Sequence, residues 1–260
     1  MANVAPKGIL EHIDIPSQSI IAAAAATGAT GTMWVSDATG SATDFVAAVA
    51  AGKGLHYFGV MDAVDNSLLE FAGNWLQFTA QEGHCYIETM IQFEDASEHA
   101  FCFGFNDTVE DGNLTVDYAT DTLTPTATAF CGFVYDGTDA SDNNLVCYWV
   151  SAAVSGQTDA TGKATSAGGG SEYVKMKGIA PTDAKWLYMR VELQDTGSGY
   201  YPIATFTATD HTGKSATKEF KTNLTRSTPL CWHLSIENRT ATGGDVFLRN
   251  CNWAQTIPDM

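Results

Sequence analysis

The stretch from His84 to Asn106, HCYIETMIQFEDASEHAFCFGFN, restricts the fold more than any other part of the chain. In its first half Cys85, Ile87, Thr89, Ile91 and Phe93 recur at every second position, with Tyr86, Glu88, Met90 and Gln92 between them. Side chains alternate across a strand, so this is the pattern of a half-buried strand with one core face and one mixed face. After the polar EDASEH, Phe101, Phe103 and Phe105 share one face of a second strand. Two aromatic-rich, period-two runs around a short polar connection predict a β-hairpin.

The same grammar continues to the C-terminus. Leu187, Met189, Val191 and Leu193 alternate with Tyr188, Arg190, Glu192 and Gln194, and the turn signals TGSG and DHTGK lead into YYPIATFTA and SATKEFK as a meander. FCGFVYD and LVCYWVS flank the loop DGTDASDNN. Trp232, Leu234 and Ile236 point inward from CWHLSIEN, and VFLRNCNWAQ closes the fold. Near the start, Leu69, Phe71, Trp75 and Phe78 are core candidates. Strands with turn signals every ~10 residues predict an all-β, two-sheet antiparallel jelly-roll sandwich over residues 55–260.

Residues 1–54 read differently. Pro6 and Pro16 break any helix, and an Ala/Thr/Gly-rich stretch follows. This predicts an irregular N-terminal arm, extended but for one short helix, DFVAAVAA, capped by Thr43 or Asp44 and stopped at Gly52. Ile9, Leu10, Ile13 and Ile15 are the arm's apolar residues and the candidates for burial against a partner.

Charge narrows the partners. Lys and Arg number 13 against 30 Asp and Glu, a formal charge of −17. A field of that sign repels phosphate backbones and anionic lipid, which excludes direct nucleic-acid or membrane-surface binding. Cys85, Cys102, Cys131, Cys147 and Cys231 lie in apolar runs, and the chain has no CxxC and no Cys/His set at zinc-ligand spacing. Reduced core cysteines are therefore expected. Glu11, His12 and Asp14 stand where a secretion signal would be basic, and Ala22–Ala26 is too short to span a bilayer. Cytosolic synthesis is expected, and the sequons at Asn106, Asn113, Asn223 and Asn238 would then carry no glycan.

The order LEFAGNWLQF, YIETMIQF, GFND, FCGFVYD, KWLYMRVELQDTGSG and PLCWHLSIENRTATGGDVFLRNCNW resembles concanavalin A-like (laminin-G-like) sandwich domains in structural proteins of tailed-bacteriophage particles. The resemblance spans roughly residues 60–255. It implies a non-enzymatic virion protein assembled in the bacterial cytoplasm: a capsid decoration (cement) protein, or a head or tail fibre component. It also implies contacts with the major capsid protein or other virion proteins, residues 1–54 as anchoring arm, and a homotrimer. No cofactor follows from it.

Three constellations could carry chemistry. Glu94, Asp95 and Glu98 superficially resemble the ExDxxE signature of a glucanase family, but Glu94 and Asp95 are adjacent in a turn and their side chains would diverge. A retaining glycosidase needs its carboxyls ~5 Å apart across the bond. Tyr86, Glu88, Tyr188, Arg190, Glu192 and His233 occupy non-core positions; on neighbouring strands they would form a glycan-binding groove, or an ordinary ion-paired outer face. Asp136, Asp139 and Asp142 are weak calcium candidates whose spacing does not match the EF-hand order. The Gly-rich stretches lack the strand and helix context of a phosphate loop.

Overall fold

The computed structural model describes residues 9–12, 20–22, 34–40, 42–73, 78–109, 111–119, 122–138, 144–152, 157–158, 163–166, 169–197 and 200–256. In chain order the strands are β1 (Ile9–His12), β2 (Ile20–Ala22), β3 (Trp34–Ala38), β4 (Thr43–Ala50), β5 (Gly54–Met61), β6 (Leu68–Gly73) and β7 (Cys85–Phe93). Next come β8 (His99–Asn106), β9 (Val116–Ala119), β10 (Thr122–Pro125), β11 (Ala129–Asp136), β12 (Leu145–Ser151), β13 (Gln157–Thr158) and β14 (Lys163–Ser166). The last are β15 (Gly169–Met176), β16 (Leu187–Gln194), β17 (Ile203–Thr209), β18 (Ser215–Lys221), β19 (Cys231–Asn238) and β20 (Gly244–Thr256).

A front sheet runs β18-β17-β16-β7-β20-β5-β4, with β1 also on β20; a back sheet runs β14-β15-β12-β11-β8-β19-β6-β3-β2. The described pairs are antiparallel except β2 with β3. Between the sheets, Ile87, Ile91, Met189 and Val191 from the front meet Phe101, Phe103, Trp149, Trp232 and Leu234 from the back, each fully buried. Burying one such side chain stabilises the fold by roughly 1.5–3 kcal/mol. Aromatic contacts knit this core: Trp34 stacks on Phe71 with centroids 5.0 Å apart, and Phe71 meets Trp232 edge-on at 5.7 Å.

A second layer lies outside the back sheet. Val116, Tyr118 and Leu123, from the small sheet β13-β10-β9, pack on Cys102, Val134, Val146 and Tyr148. This explains why β8, β11 and β12 are buried at every position while β7 and β16 alternate. Gly104 faces Gly132 across β8 and β11, and a Cβ on Gly132 would sit 2.3 Å from the Phe103 carbonyl oxygen.

Several expectations hold. The inward faces of β7, β16 and β19, the meander β16-β17-β18 and the burial of Leu69, Phe71 and Phe78 match their sequence pattern. The six cysteines are free and buried. Burial pushes the Cys85 thiol up to about 12. Trp75 lies outside the described residues.

Others are corrected. β7 and β8 do not pair: β7 lies between β16 and β20 in the front sheet, β8 between β11 and β19 in the back. EDASEH is thus a crossover between sheets, built on a 3-10 turn, Ala96–Glu98, capped by Asp95. The expected helix DFVAAVAA is strand β4, antiparallel to β5. Cross-strand pairing overrides the helix propensity of the alanines, and Gly52, expected as a helix stop, uses its φ of 75° in the β4–β5 turn. The described parts of residues 1–54 are strands of the two sheets: β1 pairs with β20 and β3 with β6.

The two edges of the front sheet differ. β18 carries Lys218, Glu219 and Lys221, whereas β4 exposes Val46 and Val49, the latter at 78%. Among the described residues no helix is long and apolar enough to cross a membrane.

Candidate functional site

The outer face of the front sheet gathers five of the six residues expected to form a groove. Pairing places Tyr86 opposite Glu192 and Glu88 opposite Arg190 on adjacent strands β7 and β16. Tyr188 Oη donates to Glu88 Oε2 at 2.7 Å, and Arg190 Nη1 donates to the same oxygen at 3.4 Å. Arg190 Nε donates to Glu192 Oε1 at 2.8 Å. The guanidinium lies over the Tyr86 ring, 3.7 Å from its centroid. That ring face is therefore covered by arginine and offers no stacking platform to a sugar. Burial, reinforced by the hydrogen bond to Glu88, pushes the Tyr188 phenol well above its ordinary range.

A sixth residue completes this network from a place the period-two pattern does not reach. β20 carries a bulge between Arg249 and Asn252, with Asn250 at a φ of 53°. Before the bulge Val246 and Leu248 point inward; after it Cys251 and Trp253 do. The change of phase turns Asn252 outward, where its Nδ2 donates to Glu88 Oε1 at 2.9 Å.

His233 does not belong to this face. It sits on β19 in the back sheet, fully buried, with Nε2 3.4 Å from Glu70 Oε1. Period two separates inward from outward positions; it does not say in which sheet a strand lies.

The other candidates disperse. Asp95 caps its own turn, accepting from Ser97 N at 3.0 Å and Ser97 Oγ at 2.7 Å. Glu98 accepts from the Thr240 hydroxyl, and Glu94 from the Asp245 amide at 3.4 Å. Asp136 is buried; its Oδ1 accepts from Thr138 N and Oγ1, and its Oδ2 lies 3.1 Å from Arg239 Nε. These contacts tie Asp136 to Arg239 and to its own turn, apart from any cluster of acids among the described residues. Asp139 and Asp142 lie outside the described residues. So do Ile13 and Ile15, while Ile9 and Leu10 are in β1, paired with Thr256 and Gln255.

Two concavities of about 430 and 460 Å³ lie at one end of the front sheet, on either side of Tyr200 and Tyr201. These tyrosines, in the β16–β17 connection, are 69% and 52% exposed. Gln81, Thr225 and Arg226 line the first hollow; Ile203, Lys221 and Asn223 line the second. Arg226 grips Asp195 with both nitrogens of a fork, its Nη2 2.7 Å from Oδ2, and holds that carboxyl below its usual range. The walls are tied together: Gln81 N donates to Arg226 O at 3.0 Å, and Thr196 Oγ1 donates to Tyr201 O at 2.8 Å. Sequence reading placed YYPIATFTA as a strand; the strand starts only at Ile203, and Pro202 keeps the two tyrosines outside it.

No protein-family profile matches the chain, and no curated protein matches it in sequence. Solved structures do match. Peanut lectin, solved with a nine-residue peptide, aligns over 97% of this chain and 100% of its own, with a TM-score of 0.56 and 8% identity. A protein of unknown function from Shewanella oneidensis MR-1 aligns over 96% and 86%, with a TM-score of 0.54 and 9% identity. The marine PL-14 alginate lyase from Aplysia kurodai aligns over 82% and 87%, with a TM-score of 0.52 and 7% identity. At such identities the likeness is one of fold: the chain is a concanavalin A-like β-sandwich.

Proposed function

We propose that this chain is a non-enzymatic, glycan-binding component of a tailed-bacteriophage particle, with Tyr200 and Tyr201 as its sugar platform. The observation that carries this reading is the exposed tyrosine pair between two hollows walled by Arg226, Asn223 and Gln81. Sugars are bound by stacking their C–H faces on aromatic rings while planar polar groups take their hydroxyls, and this rim offers both. Two proteins that share the fold are named a lectin and an alginate lyase.

The front-sheet network supports the non-enzymatic part of this reading. Glu88 and Glu192 are both engaged by Arg190, and the phenol of Tyr188 is shifted away from the range in which a tyrosine acts as base. The virion setting rests on the ordered motif series. In that setting strand β4, with exposed Val46 and Val49, is the attachment edge toward the major capsid protein or another virion protein, in a capsid-decoration or fibre role. β17 and β4 are five strand spacings apart, about 24 Å. One surface can therefore hold the particle while the other meets a glycan.

The test is a screen of bacterial surface polysaccharides by glycan array and isothermal titration. A Tyr200→Ala/Tyr201→Ala double variant should lose binding with its melting temperature unchanged. Unaltered binding by the double variant would overturn the site, and absence of any glycan ligand would overturn the function. Mass spectrometry of purified particles tests the setting: hundreds of copies fit decoration, a few fit a fibre, and none removes the virion from the account.

A further inference from the structure

We propose that Glu70, Asp111 and His233 form a binding site for a divalent transition-metal ion, Zn²⁺ being the best match. The three lie on the outer face of the back sheet: Glu70 on β6, His233 on β19, and Asp111 in the segment between β8 and β9 that folds over them. Their ligand-capable atoms all fall within 4.8 Å of one another.

Each side chain is oriented by a second partner. Glu70 Oε1 and Oε2 accept from the amides of Asp111 at 3.0 Å and Gly112 at 3.1 Å. Asp111 Oδ2 accepts from Asn106 Nδ2 at 2.7 Å. On the far side of the imidazole, His233 Nδ1 is 3.3 Å from Thr115 Oγ1, itself 2.8 Å from Ser235 Oγ. Thr115 can donate to Ser235 and accept from Nδ1–H, which turns the Nε2 lone pair toward the carboxylates. Metal-bound imidazoles and carboxylates are held by outer partners of this kind.

The independent sign is Nε2 itself. His233 has no exposure to solvent, and Nε2 makes no hydrogen bond although Glu70 Oε1 is 3.4 Å away. In such a buried site Nε2 holds either a proton directed at Glu70 or a lone pair directed at a cation, and the proposal is the second. For bonds of about 2.1 Å, adjacent ligand atoms of a tetrahedral zinc site are about 3.4 Å apart, which is the separation of His233 Nε2 and Glu70 Oε1, while the full set lies within 4.8 Å. One imidazole nitrogen with two carboxylates suits zinc or manganese, whereas calcium takes oxygen ligands alone. The ion would stitch residues 111–115 to β6 and β19, a structural role independent of the tyrosine rim.

The experiment uses the full chain, stripped with a chelator and dialysed. Titration with ZnCl₂, followed by calorimetry and thermal melting, should show one equivalent bound and a melting temperature raised by several degrees. Cobalt(II) should give the visible absorption of a nitrogen- and oxygen-ligated ion. Asp111→Asn, at a half-buried loop position, should keep the metal-free melting temperature yet bind at least about tenfold more weakly. His233→Gln should abolish the cobalt spectrum. No stoichiometric binding of Zn²⁺ or Mn²⁺ by the folded wild-type chain would overturn the proposal. So would an Asp111→Asn protein that binds as tightly as wild type.

Discussion

The two sheets treat their outer faces in opposite ways. The front sheet leaves its outer side half open, so β7 and β16 alternate buried with half-buried positions and their polar side chains pair with one another. The back sheet is roofed by the small sheet and residues 111–115, so its outer positions are apolar, as at Val146, or belong to a closed polar cluster around His233. One lesson follows. Strict alternation in the sequence marks a face that deals with solvent or ligands, and a continuous apolar strand such as LVCYWVS marks a face with a second layer on it.

That contrast can be broken by placing the same charge on each face. Val146→Asp puts an unpaired carboxylate into the roofed layer and should cost more than about 4 kcal/mol, leaving no cooperative urea transition at 37 °C. Thr207→Asp, on the open face beside Arg190, should stay within roughly 0.5 kcal/mol of wild type. Similar losses at the two positions would refute the layered account.

A smaller effect sharpens the reading of the open face. Arg190→Ala leaves Glu88 and Glu192 without the guanidinium they share, and both are only partly exposed. A loss of about 2 kcal/mol in unfolding free energy, read as a lower urea midpoint, is expected. Arg190→Lys should recover only part of it, since an ammonium cannot replace the fork or the stack on Tyr86.

The smallest effect concerns the space between the sheets. His99 is fully buried there, and desolvation lowers its pKa despite the nearby Asp95 and Glu98 carboxylates. The unfolded chain takes up this proton near pH 6.5, while the folded chain resists until lower pH. The folded state is therefore favoured above about pH 6.5 and loses stability as pH falls below it. Urea midpoints at about pH 7.5 and about pH 5 should differ more for wild type than for His99→Gln. Equal differences would show that His99 does not carry this acid sensitivity.

Much of this was legible beforehand, and the failures have physical causes. Period two correctly assigned inward and outward residues of β7, β16 and β19, so Tyr86, Glu88, Tyr188, Arg190 and Glu192 converge as expected. It could not assign a sheet, which is why His233 was grouped with them and β7 with β8. Asn252 was hidden by a bulge whose local sign is the asparagine at position 250, a residue that tolerates positive φ. Alanine runs suit a helix until a neighbouring strand claims their backbone, and β5 does so for β4.

The placing of the last two strands has a consequence in time. β19 lies between β8 and β6, and β20 between β7 and β5, so the centre of each sheet is filled by residues 231–256. While the chain is still emerging from a ribosome, β8, β6, β7 and β5 have edges waiting for partners not yet made. Neither sheet can close before its own late strand wedges in, β19 into the back sheet and β20 into the front, and every such contact spans a long stretch of chain. Folding should thus be slow and should begin in earnest only after synthesis has passed residue 256. Chaperone demand would be concentrated in that interval.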